Sequence, residues 1–274
     1  MAFPDDALAE HWGLQGADVR PHHGGMNSAT WFVSADRRRY VAKAASGWFP
    51  GGIAVADALA RCGFPSGAPV RTTDGRLTVQ IDGDEHLALL TFVAGEPLTA
   101  ADQHAIGVTL AEVHRLLRDV TVEGEVAMDW VDPDAAHLGL RPWLRGAVTT
   151  AVRDLAEAGP LTSGLLHADP APEAFIGGGL IDWGVAMRGP LLYDVASTLM
   201  YLGGDGETFL ATYLEAGIVA EEELRSALPV LLRFRFAVQA DYFARRLATN
   251  DLTGIAGAAE NEQGLEHARV GLHR

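Results

Sequence analysis

Two acids in one short stretch, Asp169 and Asp182, constrain what this chain can fold into more than any other feature. Leu165 to His167 reads as an apolar strand, followed by a tight loop carrying Asp169 and a short apolar step at Phe175-Ile176. A glycine turn, Gly177-Gly178-Gly179, then leads through Leu180-Ile181 to Asp182. The pattern predicts that the turn returns the second strand beside the first, so that both carboxylates leave strand ends at neighbouring places on one edge. A carboxylate just beyond an apolar strand is fixed by the packing of that strand while it faces a cleft. In that setting Asp169 fits a general base or alcohol-orienting group, and Asp182 fits a magnesium ligand.

The run His167-Ala168-Asp169-Pro170-Ala171-Pro172-Glu173-Ala174-Phe175-Ile176 lies without a gap over H-G-D-L-H-P-x-N-V-L, and Ile181-Asp182-Trp183-Gly184 over an apolar residue followed by D-[FWYL]-[GE]. These segments resemble the catalytic core of the aminoglycoside phosphotransferase family, small-molecule kinases with a bilobal, protein-kinase-like fold. The resemblance implies the catalytic role for Asp169 and the metal-binding role for Asp182. Gly189-Pro190 and Tyr193-Asp194-Val195-Ala196 look similar to the family as well, with Asp194 anchoring the loop from a helix start. The departures are specific. The family asparagine that helps to hold a second magnesium falls on Ala174, whose methyl group coordinates nothing. Glu173 either replaces it as a magnesium ligand or faces solvent. The second histidine of the segment is Ala171.

The family's glycine-rich turn with its asparagine resembles Gly24, Gly25 and Asn27, which lie between two strand candidates, Ala17 to His22 and Ala29 to Ser34. Glycines there let backbone N–H groups approach phosphate oxygens, although the same pair serves an ordinary hairpin. In the next strand, Arg38 to Lys43, Tyr40 and Ala42 share one face while Val41 and Lys43 share the other. The resemblance assigns Lys43 to the ATP phosphates. Its usual glutamate partner falls near Gly52, so Asp57, Asp182 or phosphate alone is left to orient Lys43. Ala68 to Arg71, Arg76 to Ile81 and His86 to Phe92 read as further strands that complete an antiparallel sheet. Leu90 to Leu98 is the hinge candidate, where the resemblance lays the adenine against backbone groups that include Thr91 and Val93.

Asp102 to Arg118 is the clearest helix, with Ile106, Leu110, Val113 and Leu117 at helical spacing and Thr99 as its cap. His114 sits near that stripe and reads as a buried histidine that bonds the loop around Asp169. Asp129 to Leu140, with Trp130, Asp132, Asp134 and His137, is either an acidic pocket wall or a surface loop. Further helices are expected from Trp143 to Leu155, Pro190 to Met200, Glu207 to Glu215 and Glu221 to Ala248, the last with a few side chains reaching the acceptor pocket.

These readings predict an α+β fold, with an N-terminal antiparallel β lobe over residues 1–93 and a larger helical lobe over 94–274. Of the 274 residues 48% are apolar, enough to fill two lobes. Lys+Arg of 21 against Asp+Glu of 36 leaves a net charge of -15, which argues against a nucleic-acid surface or an anionic membrane. That charge suits a neutral or cationic acceptor, and simple solubility would select it too. The single Cys62 rules out an internal disulfide and reads as packing. With no apolar run of membrane length, a cytoplasmic monomer or homodimer is expected. The implied function is ATP- and Mg2+-dependent phosphorylation of a hydroxyl on a small molecule, an antibiotic or other secondary metabolite at family level. A non-catalytic nucleotide or small-molecule binding protein derived from the same fold is the alternative, favoured by Ala174. Phosphate-ester hydrolysis ranks below both, because nothing resembles a second metal-ligand cluster.

Overall fold

Residues 3–4, 6–22, 25–128, 131–203 and 206–273 are described in the computed structural model of the chain. Among them a five-stranded antiparallel sheet takes the order β1-β2-β3-β5-β4, from β1 (Asp18–His22), β2 (Ala29–Ala35), β3 (Arg38–Ala45), β4 (Val79–Asp82) and β5 (Glu85–Thr91). Strand alternation divides its side chains. Trp31, Val33, Ala42, Ala44, Leu87 and Leu89 face helix α1 (Ala7–Trp12), whose Leu8 and Trp12 cover them. On the other face Val41, Ala88 and Leu90 meet Phe49 and Ile53 of helix α2 (Phe49–Arg61). Lys43 lies opposite Thr30 and Ala88 in the register, so it shares the α2 face. The β2–β3 hairpin closes on Asp36 and Arg37, both in the left-handed region (φ 49° and 62°), as a tight two-residue turn demands.

The strand expected over Ala68–Arg71 reduces to a single bridge, Pro69 to Leu90. Val70 N–H still reaches the Leu89 carbonyl (2.7 Å) and Thr91 N–H the Ala68 carbonyl (2.8 Å), but Pro69 has no N–H to extend the ladder. The strand expected from Arg76 survives as the shorter β4.

Near the two acids the pairing differs from the sequence expectation. β6 (Ser163–Leu166) pairs with β9 (Met187–Pro190), and β7 (Phe175–Ile176) with β8 (Gly179–Leu180). The strand leading to Asp182 therefore returns beside Phe175-Ile176 instead of beside the strand before Asp169. The cause is the turn itself: Gly177 and Gly178, with φ of 59° and 77°, form a two-residue loop that pairs only the residues flanking it. Because Met187–Pro190 is used as a strand, the helix expected from Pro190 begins at Leu192.

The remainder is helical: α3 (Gln103–Leu116), α4 (Leu144–Glu157), α5 (Leu192–Leu202), α6 (Glu207–Glu215), α7 (Glu221–Thr249) and α8 (Ala258–Leu272). Ile106, Leu110, Val113 and Leu117 are buried in the main core with Val148, Leu165, Phe175, Phe209 and Leu231. Burying such a side chain contributes roughly 1.5–3 kcal/mol. Val55 and Leu59 of α2 join this same core, so α2 packs on the helical part while its other side supports the sheet. At the start of α3, Asp102 takes the N-cap position in place of Thr99, and its carboxylate accepts the Thr99 N–H and hydroxyl, both at 2.8 Å. Cys62, expected as packing, is exposed just past α2.

Arg188 of β9 forks onto Glu125 (2.7 and 3.1 Å) and also donates to the Val120 carbonyl (2.8 Å), tying the segment after α3 to the sheet. The hydrogen bonds from Arg188 hold the Glu125 carboxyl below its ordinary value of 4.5. Stability from this pair is therefore present above about pH 4.5 and is lost as pH falls through the lowered folded value. Glu125→Gln is expected to cost about 1 kcal/mol at neutral pH. Urea unfolding of both proteins should show that difference at about pH 7 and a shrinking one as pH falls below about 4.5.

Candidate active site

Lys43 and Asp182 form the first wall of the site. The Lys43 ammonium bonds Asp182 Oδ1 at 2.5 Å, across 139 residues of chain. Of the candidate partners for Lys43, the structure selects Asp182, because Asp57 is occupied by Arg61 (2.7 Å) and Arg71 (2.8 Å). Gly52, at the expected glutamate position, has no room for any side chain: a Cβ there would collide with the Trp183 carbonyl. Helix α2 rests directly on the backbone of Trp183-Gly184, and Lys43 is left to the aspartate preceding them. Asp182 itself is left-handed (φ 73°, ψ 53°), which turns its carboxylate out of the strand direction and toward Lys43. Its side chain sits in the cleft, yet 57% of its surface is reachable by solvent. Removal from bulk water raises its pKa, but the Lys43 charge and hydrogen bond outweigh this and hold the carboxyl below the usual carboxylate value.

Asp169 stands on a loop fixed from beneath by Asp194. That carboxylate, fully buried at the start of α5, accepts the His167 N–H (2.8 Å) and the Ala168 N–H (2.7 Å). Ala168, where the family motif has glycine, adopts the left-handed backbone (φ 71°) that glycine would take without steric cost. His114 is buried as expected, but reaches the loop through Asp194 (3.1 Å), with its other nitrogen on the Tyr213 hydroxyl (2.7 Å). His167 joins the two acidic loops. Its Nε2–H donates to the Ile181 carbonyl (2.8 Å), its Nδ1 accepts the Asp169 N–H (3.3 Å), and its ring packs edge-on against Trp183 (4.7 Å).

Two residues beside Asp169 carry no motif signal. Asp169 Oδ1 accepts the Tyr201 hydroxyl (2.5 Å) and a guanidinium N–H of Arg235 (3.0 Å). Their one trace in the sequence is a charged residue set between Phe234 and Phe236 in an apolar helical stretch.

The turn between β1 and β2 is docked on the helical part. The Tyr242 hydroxyl donates to Asn27 Oδ1 (2.8 Å), Arg246 donates to the Met26 carbonyl (3.3 Å), and Gly25 packs against Gly254 so closely that a Cβ there would strike its carbonyl. Gly24 lies outside the described residues, as do Asp129 and Trp130 of the expected pocket wall. His137, from the same wall, bonds Asp241 of α7 (2.6 Å). At the hinge, Thr91 ends β5 with its N–H given to Ala68 (2.8 Å), and Val93 packs where a Cβ on Gly177 would lie 3.1 Å from it.

Among the described residues no three His, Cys, Asp or Glu side chains gather into a metal cluster. Magnesium keeps waters and substrate phosphates as ligands and asks the protein for one or two carboxylates. Asp182 is a carboxylate in the cleft that could serve as one. Glu173 is exposed and its negative field is felt at the Tyr201 hydroxyl, on the Asp169 side. No helix among the described residues is long and apolar enough to cross a membrane.

Comparison with known proteins agrees with this geometry. A family model described as the phosphotransferase enzyme family matches residues 18–228. The structure of a microcompartment-associated aminopropanol kinase superposes with a TM-score of 0.76 at 17% identity, covering 98% of this chain and 94% of that one. A choline/ethanolamine kinase family protein from Mesorhizobium loti gives 0.70 at 14% identity, with coverage of 98% and 93%. A spectinomycin phosphotransferase, solved with ADP and spectinomycin, gives 0.64 at 14% identity, with coverage of 97% and 95%. At such identities the likeness establishes the protein-kinase-like fold of small-molecule kinases. No curated protein sequence matches significantly.

Proposed function

The chain belongs to the phosphotransferase enzyme family, and from that premise we propose that it transfers the γ-phosphoryl group of ATP to a hydroxyl of a small molecule. The observation that carries this reading is the Lys43–Asp182 pair at 2.5 Å, joined through His167 to the loop that presents Asp169. Phosphoryl transfer needs little covalent chemistry from a protein; it needs alignment of the reactants and cations where charge spreads. Asp169 orients the acceptor hydroxyl and takes its proton as the new oxygen–phosphorus bond forms and the bond from the γ-phosphorus to ADP breaks. Lys43 and backbone groups of the Gly24-Gly25-Asn27 turn hold the phosphates, and the hinge around Thr91 and Val93 holds the base. Asp182 is the residue that would hold Mg2+, with Glu173 as a candidate second ligand; the ion, when bound, neutralises phosphate charge. Residues 1–93 and 94–274 act as the nucleotide and acceptor lobes.

Small amino alcohols come first among the acceptors, a choice supported by structural neighbours named for aminopropanol and for choline or ethanolamine, with antibiotics and amino sugars next. The test is an acceptor panel with ATP and magnesium, read by ADP release and by 31P spectra of the product. Acceptor-dependent ADP formation is expected. Magnesium-independent nucleotide binding with no product from the whole panel would favour a binding protein, the reading that Ala174 and Gly52 support. Asp182→Asn should weaken magnesium-nucleotide binding by at least about 10-fold, since an amide no longer neutralises the ion. Titration calorimetry with a non-hydrolysable analogue measures this, and unchanged affinity would remove Asp182 from the metal site.

A further inference from the structure

We propose that Arg235, together with Tyr201, is a positioning device that aims one oxygen of Asp169 at the acceptor hydroxyl. The proposal deepens the kinase reading and rests on it. Only 8% of the Arg235 side chain is exposed. A charge so enclosed is costly unless its donors are satisfied. Its Nε donates to Ser197 Oγ (2.9 Å), and one terminal nitrogen donates to Asp169 Oδ1 (3.0 Å) and to the Tyr201 hydroxyl oxygen (3.1 Å). The Tyr201 hydroxyl donates a hydrogen bond to the same Oδ1 (2.5 Å). Both donors thus converge on one oxygen, and among the described residues none bonds Oδ2. The Asp169 side chain keeps 39% of its surface exposed, which leaves Oδ2 for a ligand.

The architecture explains why this arrangement is rigid. Ser197 and Tyr201 are one helical turn apart on α5 and so face the same way, while Arg235 approaches from α7. The carboxylate is therefore held between two helices packed in the core, although it stands on a loop. Burial of the Tyr201 hydroxyl and the Asp169 charge push the phenol well above its ordinary value, so it is a donor at neutral pH. A planar guanidinium spans Ser197 and Asp169 together, which an ammonium cannot do. During transfer the acceptor proton passes to Oδ2 while Oδ1 stays pinned, so the base does not have to be reoriented at the moment of reaction.

The experiment compares wild type with Arg235→Met, Arg235→Lys and Tyr201→Phe. It reads kcat and KM for the acceptor, acceptor-independent ATP hydrolysis, and nucleotide affinity. Arg235→Met should lower kcat for transfer by about 10- to 100-fold, the scale of a misplaced reacting group. Nucleotide affinity should stay near wild type, because the Lys43–Asp182 wall is untouched, and hydrolysis of ATP by water should fall no more than transfer does. Arg235→Lys should remain impaired, because it restores charge without the fork. Tyr201→Phe, at a ring more than a third exposed, should fold even where Arg235→Met does not and should show a smaller loss of the same kind. Wild-type kcat in the folded variants, or a loss of nucleotide affinity equal to the loss of kcat, would overturn the proposal. A wrong kinase reading shows itself differently, as a wild type that forms no ADP with any acceptor. The clamp then still faces a test without turnover: Asp169→Asn should shift the Arg235 Nη–H resonances in 15N-arginine spectra, and unmoved resonances would refute it.

Discussion

Asp169→Asn is expected to lower acceptor phosphorylation by about 100-fold or more, the usual scale for a positioned base, and to leave nucleotide affinity nearly unchanged. The geometry explains why an isosteric change is so damaging. If the new amide turns its nitrogen toward the acceptor, a donor faces the hydroxyl proton that has to be accepted. If it turns the nitrogen inward, two donors from Tyr201 and Arg235 meet a third. Neither orientation keeps both the clamp and the open acceptor oxygen. The proposed nucleotide wall, the Lys43–Asp182 pair, has no bond to Asp169 among the described residues, so affinity is expected to be spared. Turnover and nucleotide titration on this variant and on Asp182→Asn form a paired measurement. Full turnover in Asp169→Asn would remove the mechanism, and equal loss of nucleotide affinity in both variants would defeat the division of labour between the two acids.

What could be read from the sequence was local. The strand from Arg38 to Lys43 and the helical stripe from Ile106 to Leu117 depend on neighbours within a few residues, whereas the anchoring role of Asp194, 26 and 27 residues from the groups it holds, came from the family resemblance; the structure shows all three. The partner of Lys43 stayed open, because choosing between Asp57 and Asp182 requires knowing that Arg61 and Arg71 occupy the former. The absence of a glutamate near Gly52 was visible, but its cause, the carbonyl of Trp183 lying against α2, was not. Strand pairing around the glycine turn went astray because apolar periodicity marks strands without saying which neighbour they take. Tyr201, Arg235, Tyr242 and Arg246 were beyond reach for a related reason. Their contacts to Asp169, Asn27 and Met26 cross up to 220 residues, and nothing in the local pattern of a helix tells which of its polar residues turns toward a distant loop. Ala168 hid its left-handed backbone because alanine gives no sign of a position that a glycine would have announced.

Asp194→Ala should be the most destabilising single change near the site. The residue is completely buried, and its carboxylate accepts from His167 N–H, Ala168 N–H and His114 Nε2–H. Since Nε2 donates, the His114 Nδ1 accepts from the Tyr213 hydroxyl, and a continuous chain runs from α6 through α3 to the start of α5 and the loop that carries Asp169. Truncation strands these donors in a dry interior at about 1–3 kcal/mol each, so a loss near 4 kcal/mol is expected after some relaxation. Against a total stability of roughly 5–15 kcal/mol, that corresponds to a fall in Tm of about 10 °C. Asp194→Asn gives no rescue, because its NH2 opposes a backbone N–H whichever way the amide turns. Activity should fall with stability, since Ala168 keeps its unfavourable backbone by donating to this carboxylate and carries Asp169 directly after it. Thermal and urea unfolding measure the first effect and turnover below the new Tm the second. A variant that keeps both would show that His167, through Ile181 and Trp183, suffices to hold the loop, and that the buried carboxylate is not what places Asp169.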